Sequence, residues 1–303
     1  MKILKIFLVT LAFVLVIAYL GVSYYMAKTI VRPTGLTLKE ERTWINEHHL
    51  AGDFDSYAKQ DFKVKGYQGY TLHGQLIKAA DSNSKKYVII THGFRSNRNG
   101  SIKYVTTYHK LGYNVIIYDA RGHGLNQKAT VSLGNYEAKD LAALIKATYQ
   151  RYGQDIYLGL HGESMGSATS LSVLAYKPKV KFVVADCGFT HLYDLIHAGY
   201  KENHLGFMIH GIALMTKLFY GVDMKKTSPI AALKGNQVPI LFIHGQDDRF
   251  IKPSNSQKMA QVNPAYDEVH LVKGAAHAQS REILGEKAYR HLIQAFLEKI
   301  NEK

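Results

Sequence analysis

Residues 156–176 have the sequence IYLGLHGESMGSATSLSVLAY, and this stretch decides the fold of the chain. Its first five residues are mostly apolar and predict a buried strand, whereas residues 167–176 predict a helix. The turn between them has the pattern Gly162-x-Ser164-x-Gly166. It is so sharp that a side chain at either glycine would collide with neighbouring backbone. The pattern therefore predicts that Ser164 is held out at the carboxyl edge of a sheet, at the start of a helix.

Apolar runs alternate with amphipathic helical patterns on both sides of this turn. Residues 61–65 and 70–78 predict an opening hairpin. Buried strands are predicted at residues 87–91, 115–118, 156–160, 182–185, 240–243 and 269–272, and helices at residues 101–111, 136–152, 165–176, 254–261 and 281–300. This regular alternation predicts a doubly wound α/β domain, with a mostly parallel sheet covered by helices on both faces.

The chain begins with a segment that is long enough to cross a bilayer. Residues 6–27 carry no charge, and they are flanked by Lys2 and Lys5 on one side and by Lys28 and Arg32 on the other. Tyrosines and a methionine crowd the outer end instead of a small-residue cleavage site, which favours an uncleaved signal anchor over a cleaved signal peptide. The basic residues at the N-terminus favour an inside start. We therefore expect a single-pass membrane anchor with the remaining chain outside the cytoplasm.

The composition divides the chain into three parts. Residues 1–32 form the predicted anchor, residues 33–58 a polar connector with a short helix, and residues 59–303 the α/β domain. Within that domain, residues 190–237 are rich in His, Tyr, Phe and Met and show no strand pattern. A loop of that length without structure of its own is rare, so we expect a small helical insertion that covers the mouth of the site as a lid.

Charge and cysteine content exclude several classes of function. The net charge is +14, and without residues 1–32 the body has 34 basic against 24 acidic residues. The basic residues are scattered and no nucleic-acid motif is present, so we expect a solvated surface and no nucleic-acid partner. Cys187 is the only cysteine, which excludes an intramolecular disulfide. No Cys/His cluster has the spacing of metal ligands, so we expect neither a metal nor another cofactor.

A serine hydroxyl becomes a nucleophile only when a base removes its proton. The best candidate is His277, which follows the last predicted strand in a loop of small residues. Asp248, in the loop after the strand at residues 240–243, is the favoured acid, ahead of Asp186 and then Asp247. The order Ser164, Asp248, His277 is the one known for a nucleophile on a strand-to-helix turn.

Attack on a carbonyl also requires hydrogen-bond donors for the developing oxyanion. The segment His92-Gly93-Phe94 stands at the end of a predicted strand, so the backbone N–H of Phe94 can supply one donor. The backbone N–H of Met165 can supply the other. The segment Asp119-Ala120-Arg121-Gly122-His123-Gly124 and the single residue His161 are interpreted as having structural roles.

Taken together, these residues resemble the α/β-hydrolase superfamily over nearly all of residues 57–303. The resemblance is greatest to bacterial membrane-anchored hydrolases of the prolyl-oligopeptidase-like branch, and its motifs are His92-Gly93-Phe94, Asp119-Ala120-Arg121-Gly122-His123-Gly124, Gly162-Glu163-Ser164-Met165-Gly166, His244-Gly245-Gln246-Asp247-Asp248 and Ala276-His277. It implies an eight-stranded, mostly parallel sheet, and it implies that Asp248 is the acid. It also implies hydrolysis of carboxylic esters, with thioesters or peptide-like amides as further substrates. The N-terminal span departs from an ordinary soluble esterase.

Three functional hypotheses follow. The leading one is a serine hydrolase acting on a small-molecule ester or acyl substrate. The same triad is compatible with an acyltransferase or a small peptidase. The third is a surface binding module that has kept the fold and lost catalysis, which the presence of nucleophile, acid, base and oxyanion elements disfavours. The oligomeric state stays open.

Overall fold

An eight-stranded sheet organises residues 1–301, which are the residues that this computed structural model describes. Its strands are β1 (Lys59–Lys65), β2 (Thr71–Ile77), β3 (Lys86–Thr91), β4 (Asn114–Tyr118), β5 (Tyr157–Glu163), β6 (Val183–Asp186), β7 (Ile240–Gly245) and β8 (Asp267–Val272). Their order in the sheet is β1-β2-β4-β3-β5-β6-β7-β8. The pairs β1/β2 and β2/β4 are antiparallel, and all the following pairs are parallel. The carboxyl ends of six strands therefore meet at one edge.

Helices cover both faces of this sheet. They are α1 (Lys2–Val31), α2 (Leu38–Glu47), α3 (Ile102–Lys110), α4 (Tyr136–Tyr152), α5 (Met165–Ser172), α6 (Leu192–Glu202), α7 (Ile209–Tyr220), α8 (Pro229–Ala232), α9 (Ser254–Ala260) and α10 (Ser280–Asn301). Gly285, with φ 76°, breaks α10 after its first turn. The predicted α/β-hydrolase fold is confirmed, including the mostly parallel sheet of eight strands.

Two hydrophobic layers hold the helices to the sheet. Alternate residues of a strand point to opposite faces, and in β3 Ile89 packs in one layer while Val88 and Ile90 pack in the other. The first layer includes buried leucines of α4 and α5, and the second includes Tyr104 of α3 and Tyr289 of α10. Burial on both faces explains why the parallel strands are almost continuously apolar.

Strand β5 continues three residues beyond its apolar stretch. Gly162 lies opposite Thr91 of β3 and Ala185 of β6, and Glu163 lies opposite Asp186. Pairing with two neighbours thus extends the strand as far as the residue before Ser164. The predicted helix at 165–176 is α5 followed by a 3₁₀ turn at Val173–Tyr176.

Helix α1 projects from the body. It is the one helix in residues 1–301 that is long and apolar enough to cross a membrane, and residues 1–18 are exposed along their whole length. The predicted connector contains α2, which begins at a capping box between Thr37 and Glu40. The insertion expected at residues 190–237 is helical and contains α6, α7 and α8.

Candidate active site

The turn between β5 and α5 holds Ser164 in a strained conformation. Its φ of 54° and ψ of −114° are rarely adopted by a residue with a side chain. A Cβ on Gly162 would lie 2.1 Å from the carbonyl oxygen of Gly166, and a Cβ on Gly166 would lie 1.9 Å from the carbonyl oxygen of Thr91. The backbone N–H of Ser164 donates to the carbonyl oxygen of Asp186 at 2.9 Å. The two glycines thus permit a turn that brings the serine hydroxyl to the carboxyl edge of the sheet.

Among the three residues predicted to form the catalytic triad, His277 lies within hydrogen-bonding distance of both Ser164 and Asp248. His277 Nε2 lies 3.0 Å from Ser164 Oγ, and His277 Nδ1 lies 2.7 Å from Asp248 Oδ2. A carboxylate accepts only, so Nδ1 donates and Nε2 is left to accept from the hydroxyl. Ser164 is 8% exposed and the His277 side chain 25% exposed. The serine is therefore shielded but reachable.

Asp248 is buried, and several donors hold it as a carboxylate. Its Oδ1 accepts the backbone N–H groups of Phe250 at 2.9 Å and Ile251 at 2.8 Å. Its Oδ2 lies 3.3 Å from His244 Nε2, in addition to its bond from His277. Burial raises the pKa of Asp248, but the hydrogen bonds from His244 and His277 outweigh burial and hold that pKa well below its ordinary value. Asp248 consequently stays charged and fixes the orientation of the imidazole.

The two other aspartates considered from the sequence point elsewhere. Asp186 is fully buried and accepts hydrogen bonds from Ser280 Oγ at 3.1 Å and Tyr289 Oη at 3.0 Å. Burial, and next the charge of Glu163, raise the pKa of Asp186 to about 7. Asp247 is exposed at the surface. Asp248 is the carboxylate that contacts His277.

The amides predicted to face an oxyanion lie beside Ser164. A Cβ on Gly93 would lie 3.7 Å from Cβ of Ser164, which places the loop before Phe94 against Ser164. Within residues 1–301, the Phe94 N–H donates to no other group. Met165 is the first residue of α5, so its N–H has no partner inside that helix. Both amides are available to an acceptor from outside the chain.

Two histidines, His92 and His123, brace the Phe94 loop. His92 donates from Nδ1 to the Gly93 carbonyl oxygen at 2.7 Å and accepts the Ala120 N–H at Nε2, 3.0 Å away. His123 Nε2 accepts the Arg95 N–H at 3.2 Å. Burial lowers the pKa of His92 to about 3, so the ring stays neutral and can accept. The predicted structural role of residues 119–124 fits these contacts, which only the folded chain brings together.

A cleft of about 570 Å³ opens beside Ser164 and His277. The connector forms one of its walls with Leu36, Glu41, Trp44 and His48. The rest of its lining comes from the loops after β3, β5, β7 and β8, from Lys103 of α3 and from the beginning of α10. Phe250 lies edge-on to His277, with 5.0 Å between ring centres. The residues that line this cleft include several from the connector and none from the insertion at residues 190–237. The role of the insertion as a lid therefore stays a prediction.

A buried lysine lies at the floor of the cleft. Lys103 Nζ is 2.5 Å from Glu163 and 3.0 Å from Glu282, and the Tyr104 hydroxyl also donates to Glu163. Burial lowers the pKa of Lys103, but the two carboxylates outweigh burial and hold it above its ordinary value. Because Glu163 directly precedes Ser164, this ion-pair cluster holds the backbone beside Ser164 in place. Nothing in the sequence distinguishes Lys103 from a surface lysine.

One group of potential metal ligands occurs within residues 1–301. Cys187, Asp248 and His277 each offer an atom within 4.8 Å of the others. Burial, and next the charge of Asp186, raise the pKa of the Cys187 thiol well above its ordinary value, whereas a metal binds the thiolate. The carboxylate and imidazole are already hydrogen-bonded to each other and to Ser164. The arrangement suits proton transfer better than metal binding.

Comparisons with known proteins agree with this fold. The family model described as "Serine aminopeptidase, S33" matches residues 82–192. The uncharacterized protein YqkD of Bacillus subtilis (strain 168) is 29% identical over 264 residues, which cover 85% of each chain. The esterase Pf2001 of Pyrococcus furiosus is similar in structure, with a TM-score of 0.66 and 24% identity over 82% of this chain and 93% of that one. The acylaminoacyl peptidase of Pyrococcus horikoshii aligns with a TM-score of 0.59 and 17% identity, over 81% of this chain and 41% of that one.

Proposed function

We propose that this chain, a member of the α/β-hydrolase superfamily, is a membrane-anchored serine hydrolase that cleaves carboxylic esters through an acyl-enzyme on Ser164. The observation that carries the proposal is the continuous chain of hydrogen bonds from Ser164 through His277 to Asp248, placed in an open cleft. The likeness to an esterase supports an ester as the substrate.

In the first half of the reaction, Ser164 Oγ attacks the carbonyl carbon of the ester while its proton moves to His277 Nε2. The carbonyl oxygen becomes negative and accepts hydrogen bonds from the N–H groups of Phe94 and Met165. Asp248, held ionised, stabilises the imidazolium ion. The tetrahedral intermediate then collapses, the C–O bond to the alcohol breaks, and His277 returns the proton to the departing oxygen.

In the second half, water takes the place of the alcohol. His277 Nε2 accepts a proton from this water as its oxygen attacks the acyl carbon. Collapse of the second tetrahedral intermediate breaks the bond to Ser164 Oγ, which regains a proton from His277. A carboxylic acid is released and the resting enzyme is restored.

A second candidate activity is the cleavage of a peptide bond with the same triad. The family model described as a serine aminopeptidase and the likeness to an acylaminoacyl peptidase favour it. The chemistry differs in the leaving group, an amine that His277 must protonate before it departs. Comparing an ester with an anilide of matched acyl group distinguishes the two activities.

The test is hydrolysis of p-nitrophenyl butyrate and of the anilide with the same acyl group, N-butyryl-p-nitroaniline, by the full chain in detergent. We expect the ester to be cleaved, the Ser164→Ala variant to be inactive, and Ser172→Ala, a serine at the far end of α5 and outside the cleft, to keep native activity. Added methanol would reveal acyl transfer as methyl butyrate. Equal ester hydrolysis by native protein and Ser164→Ala would refute the mechanism, and cleavage of the anilide alone would make the peptidase the better description.

We infer further that α1 anchors the protein with the catalytic domain outside the cytoplasm. The exposed, uncharged surface of residues 6–18 and the preceding Lys2 and Lys5 support this topology. Protease added to intact cells is expected to digest the domain. Protection of the domain until the cells are lysed would reverse the orientation.

A further inference from the structure

The insertion carries an apolar stripe that faces solvent. Phe207, Leu214 and Leu218 are 62%, 46% and 66% exposed. Leu214 and Leu218 lie one turn apart on the same side of α7, and Phe207 lies in the 3₁₀ turn Gly206–Met208 that leads into this helix. The polar residues His210 and Lys217 lie along one margin of this stripe. Exposed apolar surface with a polar margin is typical of an element that meets another apolar phase.

The other margin of the stripe packs on α1. The Gly211 N–H donates to Tyr19 Oη at 3.0 Å, and Tyr19 Oη donates to the Phe207 carbonyl oxygen at 3.2 Å. A Cβ on Gly211 would lie 2.2 Å from Ser23 Oγ, so the glycine allows the two helices to approach closely. Near the end of α7, Tyr24 packs edge-on to Phe219 at 5.1 Å. The stripe therefore continues the lipid-facing surface expected for α1.

The length of α1 determines how close to the bilayer the apolar stripe lies. The uncharged part of α1 that is clear of the body, residues 6–18, is only about 20 Å long at 1.5 Å per residue. The hydrocarbon core of a bilayer is about 30 Å thick, so roughly ten further ångströms must come from residues 19–25. Tyr19, Ser23 and Tyr24, which contact α7, lie among them. A bilayer that covers them also reaches the helix beside them.

Charge around the same region suits an anionic membrane. Residues 28–32 and 192–226, which include the whole of α6 and α7, contain six basic residues (Lys28, Arg32, Lys201, Lys217, Lys225 and Lys226) and three acidic ones (Asp194, Glu202 and Asp223). Basic residues beside an apolar stripe attract anionic headgroups to the surface that the stripe enters.

We propose that the hairpin of α6 and α7 is a membrane-docking element, which seats its apolar stripe at the boundary of headgroups and acyl chains in an anionic leaflet. The proposal rests on the proposed anchoring by α1. Docking at two places, the span and the hairpin, fixes the orientation of the catalytic domain on the membrane, whereas a span alone would leave it free to swivel.

The experiment measures the depth of a nitroxide label on the full chain in vesicles of phosphatidylglycerol and phosphatidylcholine. Leu214→Cys places the label on the stripe. Phe13→Cys places it on the free part of α1, and Tyr176→Cys places it on an exposed residue in the 3₁₀ turn before β6, away from the carboxyl edge. The native Cys187 is fully buried and serves as the unlabelled background. Collisions with oxygen, which concentrates in lipid, are compared with collisions with a water-soluble nickel chelate.

We expect the ratio of oxygen to nickel collisions to be several times higher at position 214 than at position 176, and to fall at position 214 when phosphatidylglycerol is omitted. A high ratio at position 13 with a water-like ratio at position 214 would overturn docking and leave the anchor intact. Low collision rates with both reagents at position 214 would indicate a second copy of the chain on the stripe and would also overturn it. Water-like ratios at both 13 and 214 would refute anchoring and docking together, while ester hydrolysis by the same samples tests the catalytic proposal separately.

Discussion

Replacing Gly166 by Ala tests whether the turn at Ser164 requires a residue without a side chain at position 166. The new Cβ would lie 1.9 Å from the carbonyl oxygen of Thr91 and 2.8 Å from that of His92, both of them backbone atoms. Neither can rotate away, and Thr91 is the last residue of β3, in the middle of the sheet. Either β3 or the turn must therefore move by more than an ångström.

The cost of that movement can be estimated. Overpacking of a well-packed interior destabilises by about 1–3 kcal/mol, and a rigid backbone obstacle favours the upper end. For a domain of this size, about 3 kcal/mol lowers the melting temperature by roughly 6–12 °C. The 3.0 Å contact of Ser164 with His277 is disturbed as well, and a misplacement of about 1 Å costs on the order of 10²-fold in rate.

Circular dichroism during heating and kcat/KM for p-nitrophenyl butyrate, both in the same detergent, measure these two effects. The matched control is Gly199→Ala in α6, where a new Cβ meets nothing within 4 Å. Alanine there should stabilise by about 0.5–1 kcal/mol through its helix propensity. A Gly166→Ala variant that melts like the native protein and retains its kcat/KM would refute the steric account of the turn.

Three further predictions concern charged groups. Asp248→Asn should keep the fold and lower kcat by about 10³ to 10⁴-fold, because the carboxylate that selects the tautomer of His277 is lost; a tenfold loss or less in steady-state kinetics would contradict that role. Asp186 has a folded-state pKa of about 7 against an ordinary 3.8, so its protonated form contributes stability that is fully present below about pH 4 and is lost as the pH rises through 7. Between pH 5 and pH 8 the native protein should lose about 3 kcal/mol that Asp186→Asn does not lose, as unfolding at those two pH values would show, and parallel profiles would disprove the assignment. Lys103→Met should destabilise by about 3 kcal/mol because Glu163 and Glu282 lose their buried partner, and an unchanged melting temperature would show that the cluster is of little importance.

The sequence predicted the parts of the site that depend on local geometry. Gly162 and Gly166 define the turn at Ser164 because a Cβ at either one meets backbone, a constraint visible in the pattern alone. Asp248 and His277 were predicted from their positions in loops that follow predicted strands, and the structure brings His277 into contact with both Asp248 and Ser164. The bounds of β5 were less predictable, because its last residues are held by pairing with β3 and β6 and not by their own hydrophobicity.

The cleft wall could not be predicted, because long-range contacts hold it. The connector is attached to the loop after β3 through Asn97, which donates to the Leu36 carbonyl oxygen, and Asn99, which donates to that of Leu38. Each bond joins residues 61 positions apart. The sequence predicted a helix in the connector, but no periodicity shows that α2 presents Trp44 and Glu41 to the cleft.

The position of the insertion could not be predicted either, because it too depends on long-range contacts. Its helices follow from composition and length. The packing of α7 on α1, however, depends on the absence of a side chain at Gly211, which lies against Ser23, 188 residues earlier in the chain. A lone glycine in a helical pattern gives no indication of its partner.

The most direct test of the central claim is covalent labelling of the full chain with a fluorophosphonate, followed by mass mapping of the modified peptide. An activated serine attacks the phosphorus and displaces fluoride, so we predict one adduct on Ser164 in the native protein and none in the Ser164→Ala or His277→Ala variants. An unlabelled native protein, or an adduct that persists in Ser164→Ala, would contradict the account.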